Sequence, residues 1–236
     1  MIIKSSDVHK YMEDNFEYLG DGCEAVVYRY DQNMVVKVYK NNDFERKLDE
    51  ETALGLMELD TKRILLPTEI IYDENDEMIG YKKEYKENYN HALKYISGIT
   101  LYEEILKLKE DAYMLASNGY IISDLHRDNM IYDGKIYLTD PGSYEKLENK
   151  RINNFLYNQE SLNGLIIDDI IGFELEQSLS KKKAKIITDD LHKKSEFIGD
   201  VIKDELVKSK SLHSYTKSLA KRYWILVNDV KHNFYK

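Results

Sequence analysis

Near the middle of the chain, Asp124-Leu125-His126-Arg127-Asp128-Asn129 packs carboxylates, an imidazole and a carboxamide into one short stretch. Asp140-Pro141-Gly142 adds another carboxylate just past a hairpin signal at Asp133-Gly134. A carboxylate that accepts a hydroxyl proton, with two hard oxygen ligands beside it, is what Mg²⁺-assisted phosphoryl transfer requires. Each Asp or Asn alone fits an ordinary turn. The ordered set, lying between apolar strand residues, does not.

Two further pieces fit the same chemistry. In Val35-Val36-Lys37-Val38-Tyr39, Lys37 shares a strand face with Val35 and Tyr39. On an edge strand such a lysine deters aggregation, whereas aimed into a cleft it holds phosphate and needs an anion to orient it. Glu51, on the apolar stripe of the following segment with Phe44 and Leu48, is the expected partner, and Glu50 the alternative. In Leu19-Gly20-Asp21-Gly22-Cys23-Glu24-Ala25, glycines two apart let backbone amides approach a phosphate, although an ordinary hairpin uses glycine in the same way.

Several elements must position these residues. EYLGDGCEAVVYRY and MVVKVYK read as strands joined through Asp31-Gln32-Asn33. The segment DFERKLDEETALGLMEL has helical spacing, and Pro67 opens a second strand pair with its turn at Glu74-Asn75-Asp76. Leu101, Ile105, Leu108, Ala112 and Leu115 form a helical stripe over 100–118, which Gly119 terminates. MIY and KIYL flank the Asp133-Gly134 hairpin. Three or four helices are expected beyond residue 160. The fold class is therefore α+β, a sheet-rich part followed by a mostly helical one.

In this order, glycine loop, strand lysine, helix glutamate, D-x4-N and a DFG-like triplet, the sequence resembles the protein-kinase-like superfamily. The likeness covers roughly residues 15–145 by motif. Asp124-Leu125-His126 with Asn129 is closer to the D-L-H-x-x-N of aminoglycoside-phosphotransferase-like and other atypical bacterial kinases than to H-R-D-L-K-P-x-N. The whole chain resembles small bacterial serine/threonine kinases. The resemblance implies a bilobal fold, with a β-rich nucleotide-binding lobe over 1–84, a reduced helical lobe over 85–236 and a hinge at 85–90.

It also implies roles. Gly20, Gly22 and Ala25 stand at the three glycine positions of the phosphate loop. Lys37 meets the α- and β-phosphates of ATP and pairs with Glu51. Val27 and Val35 lie above the adenine and Ile131 below it, with backbone groups of Glu84 and Lys86 at its edge. Asp124 is the base, and Asn129 and Asp140 are the Mg²⁺ ligands. Departures are Ala25 for the third glycine, Asp21 between the glycines, Ile122-Ser123 before Asp124, His126 for the catalytic-loop lysine and Pro141 for the DFG phenylalanine. No A-P-E triplet follows, and the polar segment 143–160 offers a protein substrate little platform. Three readings stay open: a protein serine/threonine kinase, a small-molecule kinase acting on a hydroxyl-bearing metabolite, and a nucleotide-binding pseudokinase.

Composition bounds the rest. The chain has 236 residues and a formal net charge of −9, with 42% hydrophobic and 33% charged residues, as for a soluble globular protein. The acidic balance argues against nucleic acid as a partner. No run approaches the ~18 apolar residues of a membrane span, and the N-terminus turns acidic too early for a secretory signal, so a cytoplasmic protein is expected. Cys23, the single cysteine, excludes an internal disulfide and reads as a small side chain in a tight loop or as a redox-sensitive thiol. The histidines lack metal-ligand spacing. The lysines at 181–183, 185 and 193–194 read as a solvated helix face or a docking surface for an acidic substrate, and Tyr223 and Trp224 as core.

Overall fold

The computed structural model describes residues 1–4, 7–40, 48–139, 144–147, 151–194 and 196–234. After α1 (Val8–Asn15) come β1 (Glu17–Asp21), β2 (Ala25–Arg29) and β3 (Met34–Tyr39). Next are α2 (Glu50–Met57), β4 (Glu69–Tyr72) and β5 (Met78–Glu84). The strands form one antiparallel sheet in the order β1-β2-β3-β5-β4. Its turns are local chemistry. Asp31 Oδ1 accepts from the amides of Asn33 (2.7 Å) and Met34 (2.9 Å), and Asp73 Oδ1 from those of Asn75 (2.9 Å) and Glu77 (2.8 Å).

Strand alternation divides the sheet into two faces. On the outer face, Tyr28, Val36, Val38, Ile71 and Ile79 bury themselves against Ile3 and Met12, so that α1 and the N-terminal residues cover it. On the inner face, Ala25, Tyr39, Ile70 and Tyr81 join the core that continues through the helical part.

That part begins with α3 (Gly98–Ser117), capped by Ser97, whose Oγ accepts from the Thr100 amide (3.2 Å). The expected stripe Leu101, Ile105, Leu108, Ala112 and Leu115 is buried. Gly119 ends the helix at φ +89°, a conformation that a side chain would strain. Short strands follow: β6 (Tyr120–Ile122), β7 (Met130–Tyr132), β8 (Ile136–Leu138) and β9 (Tyr144–Lys146). β7 and β8 form the expected hairpin, with Gly134 at φ +69°, and β6 pairs with β9. α4 (Arg151–Gly164) runs through a π-helical stretch, Leu165–Gly172, into α5 (Phe173–Glu176). α6 (Lys181–His192), α7 (Ile198–Leu206) and α8 (Leu212–Phe234) complete the described residues. None of the described helices is long and apolar enough to cross a membrane.

Two residues stand apart from the sequence reading here. In the polar segment 143–160, residues 151–160 belong to α4. Asn158 of α4 is buried, accepting from the Ile122 amide (2.8 Å) and donating to the carbonyls of Ala112 (3.0 Å) and Tyr120 (3.2 Å). Trp224 is not core: it is 52% exposed, with Lys183 Nζ 4.0 Å from its ring, because that side of α8 faces solvent beyond α6.

A buried polar joint fastens the sheet to the helices. The segment between α2 and β4 pairs with β8, with Leu138 N bonding Arg63 O and Leu65 N bonding Leu138 O, each at 2.8 Å. The Arg63 guanidinium is buried against the Glu104 carboxylate of α3. One turn-pair further along, Asp111 accepts the amides of Lys62 (2.9 Å), Arg63 (2.5 Å) and Ile64 (3.1 Å). Burial works to raise the Glu104 carboxyl, but the bonds from Arg63 and Lys107 hold it below its ordinary value. At Asp111 burial wins and the carboxyl is raised.

Candidate functional site

The β1–β2 turn holds the glycine motif. The register slips between Tyr18 and Gly20, and Gly22 N bonds Ala25 O at 3.0 Å to close the tip. A Cβ on Gly20 or Gly22 would meet nothing within 4 Å, so packing inside the protein does not require either glycine. What their absent side chains leave open is the approach to the backbone. Asp21 is turned away: Lys40 Nζ and the Tyr18 hydroxyl each reach its carboxylate at 2.5 Å, and Lys40 in particular holds its carboxyl below the ordinary range. Ala25, at the third glycine position, is buried in the core. Cys23 is exposed.

Lys37 lies on the inner face of the sheet, opposite Val27 on β2 and Tyr81 on β5. It is only 6% exposed, and a buried ammonium must be compensated. Glu24 is one counter-ion, with Nζ 3.6 Å from Oε2. The expected Lys37–Glu51 pair is therefore overturned. Glu51 is 80% exposed and bonds Lys146 Nζ on β9 at 2.9 Å. Glu50, the alternative, takes the Tyr72 hydroxyl at 2.7 Å. The reason lies in where the helix starts. Asp49 caps α2 through the Thr52 amide (2.9 Å) and hydroxyl (2.7 Å), so Thr52, Ala53 and Leu56 form its buried side and both glutamates sit in an exposed first turn. Leu48 precedes the helix, and Phe44 lies outside the described residues.

Val35 is buried on the same face, opposite Lys83, a second inward-facing lysine that the motif order does not flag. The chain then leaves the sheet. Glu84 still pairs with Met34, Tyr85 N bonds Asn33 O (2.7 Å), and the Glu84 and Lys86 side chains form an ion pair. Asn90 joins this strap to β7, donating to Met130 O and accepting from Tyr132 N, both at 2.7 Å. Met130 and Leu138 of the β7–β8 hairpin enter the core, whereas Ile131 and Tyr137 share the other face. Lys86 Nζ lies 4.9 Å from the Tyr137 ring, which brings the Ile131 face beside the strap.

The D-x4-N loop follows β6, which Asn158 clamps. Asp124 has φ +56°, a left-handed conformation that Asp tolerates better than most non-glycine residues and that Asp76 also adopts. Asn129 Nδ2 donates to the Asp124 carbonyl (3.2 Å) and lies 3.1 Å from His126 Nε2. His126 Nε2 in turn is 3.9 Å from Asp124 Oδ2. The Asp124 carboxylate itself is 57% exposed. Because a carbonyl only accepts, the Asn129 nitrogen must face it, and Oδ1 is the atom offered elsewhere. Among the described residues no three His, Cys, Asp or Glu side chains converge on a metal. The expected pair, Asn129 and Asp140, is instead two hard oxygens of the kind Mg²⁺ takes alongside phosphates. Asp140, with Pro141 and Gly142, lies outside the described residues.

One anchor of this loop carries no sequence signal. Arg127 stacks 3.6 Å over Phe173 and donates Nη1 to the Asp169 carbonyl (3.2 Å) in the π-helical stretch. Burial pushes the Asp169 carboxyl up, against the hydrogen bond that it takes from the Arg127 amide. In sequence, Asp168-Asp169 is one acidic pair inside an apolar run, and only the packing of the stretch against the loop reveals its use.

Comparison with models of protein families gives no match, and comparison with curated proteins gives none either.

Proposed function

We propose that the chain is an ATP- and Mg²⁺-dependent kinase of bilobal, kinase-like build, with a nucleotide-binding lobe over 1–84 and a helical lobe over 85–236. It transfers the γ-phosphate to a hydroxyl of protein serine or threonine, in the cytoplasm. The observation that carries this reading is Asp124. Its left-handed backbone is held by Asn129 and Asn158 fixes the strand before it, yet the carboxylate they position is exposed. Asp76 in the β4–β5 turn adopts the same left-handed conformation, so what distinguishes Asp124 is the exposed carboxylate held beside Asn129 and His126.

In this reading the amides around Gly20 and Gly22 and the Lys37 ammonium hold the phosphates, with Glu24 as a counter-ion of the lysine. Val27 and Val35 cover the adenine, Ile131 lies under it, and backbone groups of Glu84 and Lys86 meet its edge. Asn129 and Asp140 would hold the Mg²⁺, whose charge offsets that of the phosphates. Asp124 orients the acceptor hydroxyl and takes its proton as the oxygen bonds to the γ-phosphorus and ADP leaves. Positioning and electrostatics supply most of the acceleration.

The test couples a melting shift with Mg-ATP to phosphate transfer from radiolabelled ATP, with and without protein acceptors. Asp124→Asn should lower turnover ~10²–10⁴-fold. Transfer unchanged in that variant overturns the assignment. Turnover only with added metabolites makes the chain a small-molecule kinase, and binding without turnover a pseudokinase.

A further inference from the structure

Adjacent lysines on β5 face opposite ways. Lys82 lies on the outer side, 8% exposed, where its Nζ bonds Glu69 at 2.7 Å and sits 3.7 Å from the Tyr30 ring, so that a carboxylate compensates its burial. Lys83 faces inward, 6% exposed, two residue pairs along the sheet from Lys37. Its Nζ donates to the backbone carbonyl of Thr139, across 56 residues of chain.

Thr139 is the last described residue before Asp140, and its amide donates to the Asn129 carbonyl at 2.9 Å. Asn129 Nδ2 then reaches the Asp124 carbonyl at 3.2 Å. Three hydrogen bonds thus run from the strand next to Lys37, through the segment leading to Asp140, to the residue expected to take the hydroxyl proton. A hydrogen bond from a charged donor is stronger and shorter than a neutral one, and a buried ammonium resists being left without acceptors. These properties suit a lysine to fixing the position of a backbone segment against the sheet.

We propose that Lys83 is a positioning residue of the phosphotransfer site, a role that rests on the kinase reading above. Its ammonium sets the distance between β5 and the chain leaving β8, and through Thr139 and Asn129 it sets where Asp124 stands relative to Lys37. It touches neither nucleotide nor acceptor. Its loss misplaces the reacting groups while leaving the nucleotide surfaces of the sheet intact.

The experiment uses the full chain, Lys83→Met and Lys83→Arg. Hydrogen exchange of the backbone, read by mass spectrometry over residues 129–139 without nucleotide, should be faster in Lys83→Met and restored toward wild type in Lys83→Arg. At a temperature where all three are folded, Lys83→Met should lower kcat ~10–100-fold, the equivalent of one charge-assisted hydrogen bond. The KM for ATP should move by less than ~3-fold, and Lys83→Arg should recover part of kcat. Exchange and kcat both unchanged in Lys83→Met overturn the proposal. A raised KM with kcat intact also overturns it, and makes Lys83 a nucleotide contact instead. A wild-type chain that binds Mg-ATP but transfers no phosphate overturns the kinase reading alone, and the exchange comparison then decides whether Lys83 holds Thr139.

Discussion

The two faces of the five-stranded sheet are made by alternating residues of the same strands, yet they are built differently. The outer face is mainly apolar: Tyr28, Val36, Val38, Ile71 and Ile79 meet Ile3 and Met12, with the Lys82–Glu69 pair at its margin. The inner face carries Lys37 and Lys83 beside Val35 and Tyr81, and the segment joining it to the helices buries Arg63 against Glu104. Each apolar side chain fully buried contributes ~1.5–3 kcal/mol, whereas buried ions return little net stability. A sheet selected for stability alone would be dry on both sides. The difference teaches that the inner side buries two lysines, Lys37 and Lys83, where the sheet meets the helical part, whereas the outer side buries Lys82 beside Glu69 at its β4 margin.

The strongest way to break this contrast is at the joint. Glu104→Gln leaves the Arg63 guanidinium buried without its counter-ion and should cost ~3–5 kcal/mol at pH 7. Because the Glu104 carboxyl is held below its ordinary 4.5, its contribution is present above that pH and disappears as the pH falls through the folded value. The gap between wild type and variant, read from denaturant midpoints, should therefore narrow below about pH 4.5. A gap that stays constant down to pH 3 would mean that the pair is not what acid destroys.

On the outer face, Ile71→Ala should cost ~2–5 kcal/mol of unfolding free energy and leave Mg-ATP affinity unchanged in the folded fraction. Lys37→Met inverts that pattern. Mg-ATP affinity, by isothermal titration, should fall ~10–100-fold, while the stability of the free protein falls less than in Ile71→Ala, because the Glu24 side chain left behind is 23% exposed. Equal losses of stability at both positions would erase the distinction between the faces. The smallest effect is expected at Glu51→Gln, ~0–1 kcal/mol because its bond to Lys146 is exposed, with no change in nucleotide affinity. A strong loss of affinity there would restore the abandoned Lys37–Glu51 pair.

Much of the scaffold was legible because it is local. The turns at Asp31–Asn33 and Asp133-Gly134, the α3 stripe and the stop at Gly119 each depend on neighbours within a few residues. The Lys37–Glu51 pair failed for an equally local reason, the Asp49 cap, which starts the helix late and leaves Glu51 in its exposed first turn. Asn158 was missed because a polar residue in a polar segment gives no sign that it will be buried beneath β6. Trp224 misled in the opposite direction, since its apolar ring lies on the open side of α8.

By itself the sequence determined which residue types were present and in what order: the paired glycines, the strand lysine, Asp124 and Asn129. Period-2 and period-3.6 spacing also determined most of the elements that carry them, because dihedral preference and side-chain direction act over a few residues. Only the tertiary structure decided the partners. Glu24 rather than Glu51 meets Lys37, Asp169 meets Arg127, and Lys83 meets Thr139 across 56 residues. A hydrogen bond or ion pair depends on distances of about 3 Å between groups remote in sequence, and those distances exist only once the sheet and the helices have packed together.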